Sequence, residues 1–412
     1  MTNKLKAVIF SIENVLKDTG SKPDQTVEIG RLLQFLISKS IDVIFFTNRS
    51  WSFTAKNGAT CALHEHLLGH FPSAKYVSKI THPDMPGKPQ AAATKYIREL
   101  FGYESHECIY VGASENDMQT AVNGNLLFLR AAWYQGETDY GFEFSTPMDI
   151  ARFVDTFCVR DHLWCIQIND PKVKYYSLAP FSTYKPEYQM YSQSAKAALK
   201  NNIGNPEFWF FALVTSLYFS GIHKEINYIT IVPSHKSGSV GNIIGDALNI
   251  FGKCFRKKFM PDLVLRHTKA VKSQTAKQLG LVADLKNQLN TIHINKAPVR
   301  DSKGSYKSYP AKNKTVLLAD DFCTKGDSLA AAKFYLEATG AKVICVTWLK
   351  TINTDFEFID ECTDINPFVP NTFSHTPEKS SYSYHANITD HLAPGELNQA
   401  LKSFLEWEWP AS

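Results

Sequence analysis

Residues Thr315 to Leu329 read TVLLADDFCTKGDSL. Thr315 to Ala319 are apolar or β-branched, the composition of a buried parallel strand. Two adjacent carboxylates, Asp320 and Asp321, stand where that strand ends. Thr324, Lys325, Gly326, Asp327 and Ser328 follow, and Leu329 to Leu336 has helical character. A strand, a small polar turn and a helix start form an anion cradle. The first N–H groups of a helix lack partners within it and carry partial positive charge, so a phosphate fits there. Gly326 allows close backbone approach, and Thr324 and Ser328 add hydroxyl donors. The paired acids beside the cradle are suited to accept hydrogen bonds from sugar hydroxyls. Phosphate and diol together describe a ribose 5-phosphate. The bland reading of the same residues is an ordinary βα turn, since Asp327 and Ser328 are common cap residues.

The stretch resembles the signature of the type I phosphoribosyltransferases, in which an apolar run precedes two acids and a Thr/Gly loop. It departs where Lys325 stands in a usual Thr position and Asp327 in a usual Gly position. A carboxylate beside a bound phosphate is unfavourable, so Asp327 is expected to point away. Upstream, Asn227 to Val232 reads as a strand running into Pro233, Ser234, His235, Lys236, Ser237 and Gly238, with helical residues after it. This is a second anion cradle, and its VPSHKSGSVGN phrase most resembles ComF-like members of the family. The resemblance assigns Lys236 to the diphosphate. It also makes Arg266, Lys269 and Lys272, after a short strand at Leu263 to Leu265, the cations of a mobile loop over the leaving group. The implied substrates are phosphoribosyl pyrophosphate (PRPP) and a small-molecule acceptor. The implied cofactor is Mg2+, held through Asp320 and Asp321 by way of ribose hydroxyls or water.

The first 155 residues alternate strand and helix. Strands are expected at Lys6 to Phe10, Ile41 to Phe46 and Cys108 to Val111, and helices at Val27 to Ser38 and Gln90 to Phe101. Ligands in such sheets bind at the carboxyl ends of strands. Those ends carry Ser11 and Glu13, then Thr47 and Asn48, then Gly112 to Asp117, with Lys88 between the last two. In order and spacing these positions resemble the four motifs of haloacid dehalogenase-like (HAD) phosphatases. Ser11 replaces the nucleophilic Asp of that family, Glu13 the acid/base Asp, and Ala113 a metal-binding Asp. A serine neither forms an aspartyl-phosphate nor ligates Mg2+ as a carboxylate does. A catalytically inactive HAD-like unit is expected, one that binds a phosphorylated ligand through Thr47, Asn48 and Lys88 or serves as an assembly surface.

The whole therefore reads as α/β, with two Rossmann-like parallel-sheet units. The HAD-like unit spans 1–155, a linker or hood 156–225, a transferase core 226–350 and a C-terminal extension 351–412. In the hood, Tyr175, Tyr176, Phe181 or Tyr184 would stack on a base; plain packing is the other reading of these aromatics. Residues 179–192 read as an ordered loop.

Composition narrows the class. Hydrophobic residues make up 44% and charged residues 20%, which excludes a disordered chain. No apolar run reaches about 18 residues, so no membrane span is expected. The N-terminus reads as a first strand, not a signal peptide. The 8 cysteines lack CxxC spacing, consistent with a cytoplasmic, reduced protein without structural zinc. Net charge is +4, yet residues 251–314 hold 15 Lys/Arg against 3 Asp/Glu. A segment so basic faces a polyanion or is a solvated surface. Nucleic acid is the rival occupant, although no nucleic-acid-binding motif accompanies it. Two other functions stay open beside transfer. One is a PRPP- or nucleotide-binding regulator without turnover; the other is a stress or phage-defence effector acting on nucleotides or nucleic acid. A homo-oligomer or a complex with a partner protein is equally compatible with the sequence.

Overall fold

The structure, a computed structural model, describes residues 4–18, 23–54, 58–134, 138, 140–201, 203–234, 243–270, 285–302, 304–360 and 365–410. Two six-stranded sheets organise it. The first contains β1 (Ala7–Ser11), β2 (Asp42–Phe46), β3 (Lys75–Val77), β4 (Cys108–Gly112), β5 (Leu127–Ala131) and β6 (Phe142–Phe144), in the order β3-β2-β1-β4-β5-β6. Every neighbouring pair is parallel. Helices α1 (Thr26–Ser38), α2 (Ala91–Phe101) and α3 (Glu115–Asn123) lie between these strands in the chain. β1 and β4 are buried along their whole length, which is why their sequences are continuous apolar runs instead of alternating ones.

The second sheet contains β7 (Ile166–Asn169), β8 (Lys174–Phe181), β9 (Tyr228–Ile231), β10 (Lys258–Phe259), β11 (Thr315–Cys323) and β12 (Lys342–Thr351), in the order β10-β9-β11-β12-β8-β7. Only the edge strand β7 runs antiparallel to its neighbour. The fold class is thus α/β with two mainly parallel sheets. In each sheet the chain reverses its direction of travel once, between β1 and β4 and between β9 and β11. Those are the places where loops diverge and leave a crevice.

The expected hood differs from what is found. Residues of 156–225 supply β8 to the second sheet, where it pairs in parallel with β12 from Lys174↔Ile344 to Phe181↔Thr351. Tyr175 is buried, its hydroxyl 2.8 Å from Thr347 Oγ1 and its ring stacked on Phe356 at 4.3 Å. Tyr176 packs on Trp164 and Phe181 on Phe322. Packing, not base stacking, accounts for these three; Tyr184 alone of the four is exposed. Nor is 179–192 a loop. Pro180 sits in the last residues of β8, and Pro186 opens α4 (Pro186–Asn201), a position where its missing N–H costs nothing. The strand expected at Leu263 to Leu265 is Val264–Arg266, and it pairs antiparallel with Ile292–Ile294 outside the main sheet.

The two sheets share one apolar core through α5 (Pro206–Phe219). Its sequence, PEFWFFALVTSLYF, is apolar on nearly every side because most of it is buried. Phe211 stacks on Phe144 of the first sheet at 5.5 Å, and Trp209 stacks on Trp348 of the second at 5.6 Å. The Tyr218 hydroxyl lies 2.5 Å from the carbonyl oxygens of both Ser105 and Cys108. After these come α6 (Ile243–Cys254), α7 (Asp327–Ala338) and α8 (Ala393–Leu405). No helix among the described residues is long and apolar enough to cross a membrane.

The C-terminal helix is anchored by a titratable group. His162 Nε2 lies 2.8 Å from Asp390 Oδ2, and Nδ1 lies 2.7 Å from Glu396 Oε2. Burial opposes the imidazolium, but hydrogen bonds and charge from both carboxylates outweigh it and hold the pKa above the usual value. A raised folded-state pKa gives stability that is complete below the unfolded value and is lost as the pH rises through the folded one. Melting temperature is therefore expected to fall as pH rises from about 6.5, with His162→Gln flattening that part of the profile. An unchanged slope in the variant would contradict this role.

Candidate functional sites

The switch point of the first sheet opens into a cavity of about 400 Å³. Ser11, Glu13, Thr47, Asn48, Lys88 and Asp117, six positions separated by as much as 106 in sequence, all line it. Lys88 is the centre. Its ammonium donates to Ser11 Oγ at 3.1 Å and to Asp117 Oδ1 at 2.9 Å, and the Lys88 and Asp117 side chains are only 5% and 3% exposed. Asn48 fixes the Lys88 backbone, accepting its N–H at 2.8 Å and donating to its carbonyl at 3.1 Å.

Asp117 caps the site from α3. Its Oδ2 accepts the N–H groups of Ala113 and Ser114 at 3.2 Å and the Ser114 hydroxyl at 2.9 Å, while Oδ1 also accepts the Tyr110 hydroxyl at 3.1 Å. Burial pushes the Asp117 carboxyl upward. Lys88 together with the Ser11 and Ser114 hydroxyls more than reverses this and holds it below the usual range. Ser114-x-x-Asp117 is a capping box legible in the sequence, yet neither Ser114 nor Tyr110 is singled out by sequence reasoning. Thr47 is turned into its own loop, accepting the Arg49 N–H and the Trp51 indole N–H. Glu13 faces Arg49 at 3.6 Å near the surface.

This donor set does not suit Mg2+. Ser11 and Ala113 bring no carboxylate, both oxygens of Asp117 are engaged by protein donors, and a lysine ammonium lies against them. Among the described residues no three His, Cys, Asp or Glu side chains cluster as metal ligands.

The switch point of the second sheet opens into a cavity of about 450 Å³. Its lining includes Ser234 after β9, Asp320 and Asp321 at the end of β11, and the whole turn from Thr324 to Ser328. Gly326 caps α7 with φ +104°, and a Cβ there would lie 2.9 Å from the Phe356 ring. Conformation and space both require glycine at this position. Asp327 is the first residue of α7. Its carboxylate lies 3.8 Å from Lys379 Nζ. Lys379 in turn meets Glu357 at 2.7 Å, and Glu357 meets Lys325 at 3.3 Å. The expected C-terminal extension therefore has a place: its hairpin of Phe356–Ile359 with Lys379–Tyr382 braces the turn.

A second brace is Lys350, a buried lysine at the end of β12. It donates to the carbonyls of Thr324 and Thr354 and, at 2.9 Å, to Thr354 Oγ1. A lysine in VICVTWLKT, a stretch without any other charge, was the available signal, and sequence reasoning passed over it. Burial, then the neighbouring Asp321, raises the Asp320 carboxyl well above the usual range, with Arg266 acting weakly the other way.

Arg266 departs from its expected place on a mobile loop. It is buried, donating to Ser234 O at 2.7 Å, to Thr291 Oγ1 and to Gln288 Oε1 at 2.9 Å. Burial lowers its pKa to about 10, opposed by the charge of Asp320. It holds Ser234, at the start of the second cradle, in place. Gln288, which lines the cavity and orients Arg266, was likewise not foreseen. Lys269 is exposed. His235, Lys236, Ser237, Gly238 and Lys272 lie outside the described residues.

No family model matches the chain, and no curated protein matches it. Solved structures do match in part. A HAD-superfamily hydrolase of subfamily IA, variant 1, from Geobacter sulfurreducens PCA is 13% identical, over 36% of this chain and 95% of that one, with a TM-score of 0.26. A structure described as a putative HAD-superfamily (subfamily III A) hydrolase from Legionella pneumophila is 18% identical, over 32% and 67%, at 0.23. The 3-deoxy-D-manno-octulosonate 8-phosphate phosphatase from Moraxella catarrhalis, solved with magnesium ion, phosphate ion and KDO, is 13% identical, over 37% and 86%, at 0.25. Likeness at this level fixes no activity for this chain.

Proposed function

We propose that the second sheet carries a PRPP-dependent phosphoribosyltransferase, which moves a 5-phosphoribosyl group onto a base-like or nucleotide-related acceptor and releases pyrophosphate. The first sheet carries a HAD-like site without aspartyl-phosphate chemistry. One observation supports the transfer reading above the others. The paired acids, the Thr324–Ser328 turn at a helix N-terminus and Ser234 from the neighbouring strand line a single cavity at a switch point.

In this reading the turn holds the 5-phosphate through the α7 N–H groups and the Thr324 and Ser328 hydroxyls. Asp320 and Asp321 accept hydrogen bonds from the ribose 2- and 3-hydroxyls. As the bond from the anomeric carbon to the diphosphate breaks, positive charge develops on the ribose, and the two carboxyls stand on the side where they stabilise it. Lys379 and the hairpin keep Asp327 away from the phosphate. Two carboxylates beside a substrate diphosphate suit Mg2+, which would neutralise the leaving group when bound.

A second reading, a PRPP-binding regulator without turnover, is favoured by the ion pairs that tie Lys325 and Asp327 to the hairpin instead of leaving them to face a ligand. Pyrophosphate release from PRPP with Mg2+, over a panel of nucleobases, nucleotides, tRNA and DNA as acceptors, separates the two. Acceptor-dependent release is expected. Binding without release with any acceptor would favour the regulator, and neither binding nor release would remove both.

A further inference from the structure

The basic segment contains more charge than the transferase cavity uses, and its densest part lies elsewhere. Lys253, Arg256, Lys257 and Lys258 line a third cavity, of about 460 Å³, formed with Met118, Gln119 and Val122 of α3. It sits beside β10, which pairs with the beginning of β9 (Tyr228↔Lys258), whereas Ser234 follows the other end of that strand. The cavity is therefore at the opposite end of the sheet from the candidate transferase site, where the two sheet units meet.

The local backbone is built to bring these cations together. α6 ends in a tight reversal: the Lys257 N–H donates to Gly252 O at 2.8 Å, Arg256 adopts φ +54°, and a Cβ on Gly252 would lie 2.3 Å from the Lys257 carbonyl. Among the described residues the lining contains no Asp or Glu. Burial pulls the Lys257 ammonium below its usual range. Like charges gathered on one lining repel, a cost that an anionic ligand would relieve.

The remaining wall has a different chemistry. Tyr140 and Phe259 give apolar ring surface, with Lys253 Nζ 5.4 Å from the Tyr140 ring, and Gln119 and Asn249 offer amides. Four cations together with rings and amides in one lining match a ligand with several phosphates and a planar polar base, and the volume is within the range of small-molecule sites.

We propose that this cavity is a second ligand site, for a nucleoside di- or triphosphate. It does not rest on the transferase reading. ATP and GTP, inorganic tripolyphosphate and a short single-stranded DNA are titrated into the full chain by calorimetry. The titrations are repeated with PRPP present and in the Asp320→Asn/Asp321→Asn protein. Saturable one-to-one binding of a nucleotide is expected, tighter than that of tripolyphosphate and retained under both conditions. Lys253→Glu/Lys258→Glu is expected to weaken it about a hundredfold, at about tenfold for each charged contact. Asn249→Glu, which replaces one of the lining amides with a carboxylate and leaves all four cations in place, is expected to weaken it about tenfold. Thermal melting checks that both variants fold. No nucleotide binding, binding unchanged in both variants, tripolyphosphate binding as tightly as the nucleotides, or binding of the DNA alone would each overturn the proposal.

Discussion

Asp320→Asn/Asp321→Asn is expected to lower pyrophosphate release from PRPP about a thousandfold, the scale on which removing preorganised transition-state stabilisation acts, while melting temperature holds or rises. The second half of this prediction distinguishes it from unfolding. In the free protein Asp320 is desolvated and faces Asp321, so burial and a like charge hold its pKa far above the carboxylate range. A carboxyl whose folded pKa is raised destabilises the fold as pH rises past its unfolded value. Asparagine keeps the shape and removes that cost. Steady-state pyrophosphate release and thermal melting on the same preparation check the prediction. Full turnover in the double variant would remove these acids from the mechanism.

Lys88→Met is expected to destabilise the chain by about 3–5 kcal/mol at neutral pH, the range for stripping one partner from a buried ion pair. It leaves the Asp117 carboxylate buried with hydroxyl and N–H donors but no counter-charge. Asp117 now has a depressed pKa, so its contribution to stability is present above the unfolded value of about 3.8 and lost as pH falls. Without Lys88, burial raises that pKa, and the deficit of the variant shrinks as acid protonates Asp117. Lys88→Met/Asp117→Asn is expected to recover most of the loss, because neither charge is then stranded. Denaturant unfolding at several pH values reads all three results. A single variant as stable as the parent would mean that the pair does not matter to the fold.

The central strands of both sheets were legible because full burial writes them as continuous apolar runs: AVIFS in β1, DVIFF in β2, TVLLA at the start of β11 and VICVTW within β12. Polar residues at their ends were legible for the same reason, since charge where a buried strand stops marks the sheet's rim. What escaped was contact order. β8 reads as a short aromatic strand after a turn, and nothing local in KYYSLAPF says that its partner is β12, about 170 residues away. Arg266 illustrates the other failure. A basic residue in a basic segment looks solvated, and only the fold reveals that Ser234, Gln288 and Thr291 enclose it. Lys350 and the hairpin behind Gly326 were hidden likewise, because a brace acts through backbone carbonyls that carry no sequence signature. Ser11, Glu13, Thr47, Asn48, Lys88 and Asp117 came together because their spacing follows strand ends, and strand ends are what local pattern reads best.

Calorimetric titration of PRPP with Mg2+ into the full chain tests the proposed PRPP site at Asp320 and Asp321 most directly. Saturable one-to-one binding is expected, abolished or strongly weakened by Asp320→Asn/Asp321→Asn and unaffected by Lys253→Glu/Lys258→Glu. Absence of PRPP binding, or binding that the paired-acid variant leaves unchanged, would contradict the account.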